Sequence, residues 1–180
     1  KENEQDGCQY FDVDLQHIYD YSVFMDNPDV IYHLAALARI QPSIKDPTTA
    51  IQNNFDSTLN VLEWARVKEC PVVFSGSSSY HHGLWGSPYA WSKFSGEQLC
   101  KLYNKVYNLP TAVCRFYNVY GPYQLESGTY ATVLGIFEKQ YREGKPLTIT
   151  GDGEQRRDFT HIEDIVDGLI KVGSHYFEKC

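Results

Sequence analysis

The chain has 180 residues, enough for one substantial domain with its own core, and at 42% apolar and 22% charged it is neither disordered nor fibrous. Sixteen Lys and Arg against 23 Asp and Glu leave a formal charge of −7, an acidic balance that repels a phosphate backbone and argues against a nucleic-acid partner. These residues show no signal-peptide pattern and no membrane-spanning run, and Cys8, Cys70, Cys100, Cys114 and Cys180 are scattered without a C-x-x-C pair; the expectation is a soluble cytoplasmic protein with reduced thiols and no metal site.

The first structured run is Val30-Ile31-Tyr32-His33-Leu34, entered through the turn signal Asn27-Pro28-Asp29. Ile51, Phe55, Leu59, Leu62 and Ala65 then recur at helical spacing and predict a helix from Thr48 to Lys68. Pro71 to Ser75 is a second short apolar run. A helix from Pro88 to Tyr107 follows, with Trp91, Phe94, Leu99, Leu102 and Val106 at its repeat. Thr111 to Phe116 is a third apolar run, and a third helix is expected from Tyr130 to Arg142. Short runs that are almost wholly apolar suit strands buried on both faces, and their alternation with helices predicts an α/β, doubly wound parallel sheet. Beyond Asn118 the glycines of Gly121-Pro122, Gly128 and Gly151-Asp152-Gly153 mark a smaller, loop-rich region. The expected division is therefore residues 1–118 and 119–180, the latter returning to the sheet or capping it. In such sheets ligands lie at the carboxyl ends of the strands, here Ala35-Ala36, Ser75 to Ser79 and Tyr117-Asn118.

The chemistry concentrates in Ser87-Pro88-Tyr89-Ala90-Trp91-Ser92-Lys93. Ser87 suits an N-cap and Pro88 the first helical position, so Tyr89 falls in the first turn, where the helix dipole favours negative charge. Lys93, four residues on, shares its face. A tyrosine near pKa 10 is a poor base at neutral pH, but a cation roughly 5 Å away stabilises its phenolate by about 3 kcal/mol, or about two pKa units. Such a tyrosine can take a proton from a hydroxyl. A second Tyr-x-x-x-Lys, Tyr141 to Lys145, contains Gly144 and follows no buried strand, which makes it a decoy. The first copy is preceded by the strand-end serines Ser75-Gly76-Ser77-Ser78-Ser79. The register after Phe74 favours Ser77 as the active hydroxyl over its rivals Ser75 and Ser78. His33, His81, His82, Asp158 and Asp164 read as packing, loop or capping residues.

With these residues the chain resembles an extended short-chain dehydrogenase/reductase, of the group that holds UDP-glucose 4-epimerase and other nucleotide-sugar epimerases and dehydratases. The matching segments run in order: Phe11-Asp12-Val13-Asp14-Leu15, His33-Leu34-Ala35-Ala36, Asn53, the Ser77–Tyr89–Lys93 triad, Arg115 to Pro122, and Gly151 to Phe159. The resemblance implies a Rossmann-like fold and NAD as cofactor. Tyr89 is then the base, Lys93 its pKa-lowering partner and ribose ligand, and Ser77 the group holding the sugar hydroxyl. It implies cofactor contacts from Asp14, Leu15, Leu34, Ala35, Ala36, Asn53, Ser75, Tyr89, Lys93 and Phe116. Substrate contacts are implied from Ser77, Asn118, Val133 and Arg157, and a homodimer through paired helices 48–68 and 88–107.

The chain departs from the family in two places. The family opens with a strand, a glycine-rich turn and a helix that receives the pyrophosphate, whereas Gly7 is the only glycine among the first 75 residues. The expectation is a sheet whose first βαβ unit is missing and a C-terminal end that stops short of a complete substrate region. The link from Ser79 to Ser87 is also shorter than the family's, with Tyr80-His81-His82-Gly83 at its start. The expected activity is epimerisation at C4 of a UDP-hexose through a 4-keto sugar. The alternatives are a 4,6-dehydratase or decarboxylase, or a non-catalytic fragment. Dehydratases of the family carry acidic residues just after the catalytic Ser or Thr, where this chain has Ser78 and Ser79, and that favours the epimerase.

Overall fold

The computed structural model describes residues 4–17 and 28–176, so Cys180 and the Asn27 of the expected turn lie outside the described residues. The apolar runs form β1 (Ile31–His33), β2 (Val72–Ser77) and β3 (Thr111–Phe116). They pair in parallel in the order β1-β2-β3, with His33 opposite Phe74 and Ser77 opposite Phe116. In β2 every residue from Val72 to Gly76 is buried, as a strand covered on both faces requires.

Three helices accompany this sheet: α1 (Ile40–Lys45), α2 (Pro47–Lys68) and α3 (Pro88–Tyr107). The two long ones start by the same device. Asp46 accepts from the Thr49 amide ahead of Pro47, and Ser87 accepts from the Ala90 amide ahead of Pro88. They also stop alike, at Glu69 (φ 53°) and Asn108 (φ 56°) in the left-handed conformation. Val61, Leu62 and Ala65 of α2, Val72 and Phe74 of β2, Cys100 and Tyr103 of α3, and Leu109 make the core.

The inward face of α3 differs from the expected one. Leu102 and Val106 are exposed, and the buried face carries Ala90, Ser92, Lys93, Gly96, Glu97 and Cys100. The reason is close approach to β2: a Cβ on Gly96 would lie 2.5 Å from Phe74 Cζ. Small residues are needed there, and apolar periodicity does not report them.

The later segment holds β4 (Val119–Tyr120), α4 (Val133–Arg142), β5 (Thr160–His161) and α5 (Ile162–Lys171). β4 and β5 pair in parallel with each other as a separate two-stranded sheet. The expected helix at 130–142 begins at Val133, because Thr132 turns its side chain to the Gly135 amide as N-cap. The second Tyr-x-x-x-Lys does straddle a helix end, with Gly144 at φ 64° and Tyr141 exposed. No strand forms over Phe11 to Leu15. Leu15–His17 is a 3-10 turn, and the Asn60 Nδ2 donates to the carbonyls of Leu15 (2.8 Å) and Gln16 (3.0 Å), satisfying backbone that a ladder would otherwise use. Among the described residues no helix is long and apolar enough to cross a membrane.

Between α2 and the sheet, His33 is 3% exposed and bonds Thr58 Oγ1 through Nε2 at 3.0 Å. The Thr58 hydroxyl spends its proton on the Asn54 carbonyl at 2.7 Å, so it is the ring that donates and Nε2 carries hydrogen. Burial, then the nearby Lys93 charge, lowers the ring's pKa from 6.5 to about 4. His33 is therefore a neutral packing residue, as the sequence suggested.

Two predictions follow from the packing. Gly96→Ala should lower stability by about 1–3 kcal/mol in urea titration, since overpacking Phe74 outweighs the gain of about 1 kcal/mol in helix propensity; an unchanged midpoint would contradict the close approach. A ring with a depressed folded pKa binds fewer protons folded than unfolded, so its contribution is present above about pH 6.5 and is lost as pH falls through about 4. The size of that loss is about 3 kcal/mol. His33→Gln, which can still donate to Thr58, should lose less stability than the wild type between pH 7 and 4; equal losses would contradict a buried neutral His33.

Candidate active site

Strand β2 delivers Ser75 and Ser77 by its two-residue alternation, and α3 delivers Tyr89 and Lys93 by its turn. The parallel β2–α3–β3 crossover runs the helix antiparallel to the strands. Going from Ser75 to Ser77 advances about 6.6 Å along the strand. Going back from Lys93 to Tyr89 covers about 6 Å along the helix in the same direction. One observed contact sets the register: Lys93 Nζ donates to Ser75 Oγ at 3.2 Å. Ser77 and Tyr89 are thereby brought to one level at the carboxyl end of the sheet.

Lys93 is 5% exposed, and its ammonium lies 4.5 Å from the centroid of the Phe74 ring. Burial lowers its pKa from 10.5 to about 8, with the neighbouring Glu97 charge acting the other way. Ser75 and the ring face replace part of the lost hydration. Tyr89 is half-buried, and its backbone amide donates to Ser43 Oγ of α1 at 3.1 Å. The hydroxyl of Ser77 accepts from the Ser79 amide at 3.2 Å and from Ser79 Oγ at 2.9 Å.

Behind these groups lies a polar frame that sequence reasoning missed. Asn54 of α2 is buried; its Oδ1 accepts from the Leu37 amide at 2.7 Å, and its Nδ2 donates to the Leu37 carbonyl (3.1 Å) and to Ser92 Oγ (2.9 Å). Ser92 in turn donates to the Tyr89 carbonyl at 2.9 Å. The loop after β1, helix α2 and the first turn of α3 are thus tied through one amide. A usable signal existed: Asn54 lies on the same stripe of α2 as the buried Ala50, Thr58, Val61 and Ala65. The half-buried Asn53 lies beside that stripe.

A second tie is an ion pair. Glu97, 2% exposed, accepts from Arg115 Nε at 3.0 Å and Nη2 at 2.7 Å, a forked geometry suited to a guanidinium. The Arg115 guanidinium also lies 3.8 Å from the centroid of the Tyr80 ring, in the 3-10 turn Ser78–His82. His81, expected in a loop, lies in this turn and stacks against Tyr117.

The remaining candidates are more dispersed. Leu34 and Ala35 are exposed and Ala36 half-buried just past β1, and Phe116 is half-buried at the end of β3. Asp14 accepts from the Gln16 amide at 2.9 Å, while the Leu15 side chain packs on the core. Asn118 (φ 33°) donates to the Asp158 carbonyl at 2.8 Å. Val133 is exposed at the start of α4. Arg156 and Arg157 are both exposed, and Arg157 donates to the Arg156 carbonyl at 2.7 Å. No sequence signal pointed to Arg39, which sits at φ 88° and donates to the Tyr130 carbonyl at 2.7 Å, joining the β1 loop to the segment before α4. Among the described residues no cluster of three His, Cys, Asp or Glu could hold a metal ion.

The family model described as NAD dependent epimerase/dehydratase matches residues 1–179. The Bacillus subtilis protein named uncharacterized UDP-glucose epimerase YtcB is 34% identical over 168 residues, 85% of this chain and 51% of its own length. Epimerase Mth375 of Methanothermobacter thermautotrophicus superposes with a TM-score of 0.85 at 31% identity, covering 94% of this chain and 55% of its own. The UDP-glucuronic acid 4-epimerase of Bacillus cereus, solved with UDP-glucuronic acid and NAD, superposes at 0.72 with 34% identity, covering 81% of this chain and 49% of its own. The chain spans about half the length of the curated relatives it matches. With a match along nearly its whole length, the chain belongs to the NAD dependent epimerase/dehydratase family.

Proposed function

We propose that this chain supplies the catalytic part of an NAD-dependent epimerase acting at C4 of a UDP-hexose. The observation that carries the reading is the buried Lys93, fixed to Ser75 of β2 one helical turn from Tyr89. The likeness to a 4-epimerase solved with a UDP-sugar and NAD supports it. The donor set suits that cofactor: an ammonium has three hydrogens, of which the Ser75 bond takes one, leaving donors for ribose hydroxyls. Exposed Leu34 and Ala35, just past the carboxyl end of β1, offer apolar surface. NAD, when bound, supplies a reversible acceptor for the hydride on the sugar carbon.

In this reading the residues of the chain move and hold the proton. Tyr89 takes it from the sugar hydroxyl, Lys93 supplies the cation on the same helix face, and Ser77 holds the sugar oxygen. Asp14, Leu15, Leu34, Ala35, Ala36, Asn53, Ser75 and Phe116 are assigned to the cofactor, and Asn118, Val133 and Arg157 to the UDP-sugar. The boundary between the cofactor part, 1–118, and the substrate part, 119–180, is placed at Asn118. Exposed Val67, Leu102 and Val106 on α2 and α3 give a face for a second copy of the chain, and the unpaired thiols of Cys70, Cys100 and Cys114 suit a reducing, cytoplasmic compartment.

The test is incubation with NAD and a panel of UDP-hexoses and UDP-hexuronates, following anomeric protons by NMR. The C4 epimer should appear, and Tyr89→Phe should slow its formation at least about 100-fold, the usual scale for a lost general base. A 4-keto-6-deoxy or decarboxylated product, or no product from any of the sugars, would contradict the proposal.

A further inference from the structure

The serines that separate this chain from a dehydratase pattern have a use of their own. Ser77 is the last residue of β2 and, at φ −134° and ψ 142°, caps the turn Ser78–His82. Its oxygen accepts from the Ser79 amide at 3.2 Å and from the Ser79 hydroxyl at 2.9 Å. A serine oxygen offers two lone pairs and one O–H. With both lone pairs occupied, the capacity left to Ser77 is to donate.

Ser79 is not free to turn away. It is buried, and the turn that carries it is pinned at the next residue, where Tyr80 lies under the Arg115 guanidinium at 3.8 Å and against Phe94 at 6.0 Å. Arg115 is itself held by both oxygens of the buried Glu97. The state of the Ser77 hydroxyl is thus set from α3, through Glu97, Arg115 and the turn.

We propose that Ser79 is a positioning residue that makes Ser77 an obligate hydrogen-bond donor to the ligand oxygen at Tyr89. The inference rests on the epimerase reading for its substrate. A sugar hydroxyl there gives its proton to Tyr89 while its oxygen accepts from Ser77. The oxygen goes on accepting that bond as it becomes a carbonyl, and the Ser77 O–H bond stays intact throughout. Without Ser79, the Ser77 hydroxyl can rotate to accept from the sugar instead, or donate to the Tyr89 phenolate and quench the base.

Two measurements on the full chain separate this claim from the epimerase reading. Amide exchange followed by NMR needs no catalysis: Ser77→Ala should speed Ser79 amide exchange about fivefold, the equivalent of one ordinary hydrogen bond. In the NAD-supplemented epimerisation assay, Ser79→Ala should lower kcat about tenfold with KM within about twofold, and Ser79→Thr, which restores the hydroxyl, should recover most of it. An unchanged exchange rate would overturn the inference. So would a Ser79→Ala enzyme with wild-type kcat, or a loss that Ser79→Thr fails to recover. A wild-type chain that turns over no UDP-sugar contradicts the epimerase reading, and the exchange result then decides the Ser79 hydrogen bonds by itself.

Discussion

Helix α3 must bury two opposite charges, Lys93 and Glu97, one turn apart on the face it presses against β2, and the surrounding structure is organised by that demand. Leaving either charge buried without its partner would cost about 3–5 kcal/mol. Lys93 is met by a hydroxyl, Ser75, and a ring face, Phe74. Glu97 is met by the Arg115 fork from β3. The geometry leaves room for no side chain on β2 between them: a Cβ on Gly76 would stand 2.8 Å from Glu97 Oε1 and 2.9 Å from Arg115 Cγ. Phe74, Ser75 and Gly76 are consecutive: the first two meet the Lys93 ammonium and the third makes room for the Glu97 carboxylate.

The same arrangement explains the electrostatics of the site. Burial brings Lys93 down to about 8, so it remains mostly a cation at neutral pH while sitting close to the range where it can lose its proton. His33, which feels both burial and that cation, is kept neutral and serves as a donor to Thr58. The frame of Asn54, Ser92 and Ser43 then fixes the first turn of α3 against two other elements, so Tyr89 has little freedom in its backbone.

Much of this was legible from the chain alone, and the rest was hidden for identifiable reasons. Ser87-Pro88 announced the start of α3, short apolar runs announced three strands, and the serine cluster with Tyr89 and Lys93 marked the candidate site. Those are local signals. The Glu97–Arg115 pair joins residues 18 apart, and the Arg39–Tyr130 contact joins residues 91 apart, which no spacing rule reports. Reading α3 by its apolar residues pointed in part at Leu102 and Val106, which face outward, because the inner face carries small and charged residues beside Tyr103. The segment Phe11 to Leu15 forms no strand, and the Asn60 side chain, far along the sequence, donates to the Leu15 and Gln16 carbonyls at its end. Helix α1, which brings Ser43 to Tyr89, gave no periodic signal in its six residues.

The central claim is that the Lys93 ammonium is buried on Ser75 and Phe74. A carbon-13 NMR titration of the Lys93 Cε resonance, assigned by comparison with Lys93→Arg, tests it directly. The account predicts a midpoint near 8, well below the ordinary 10.5 of lysine. A midpoint at the ordinary value would mean that the ammonium is solvated and the register between β2 and α3 is not the one described.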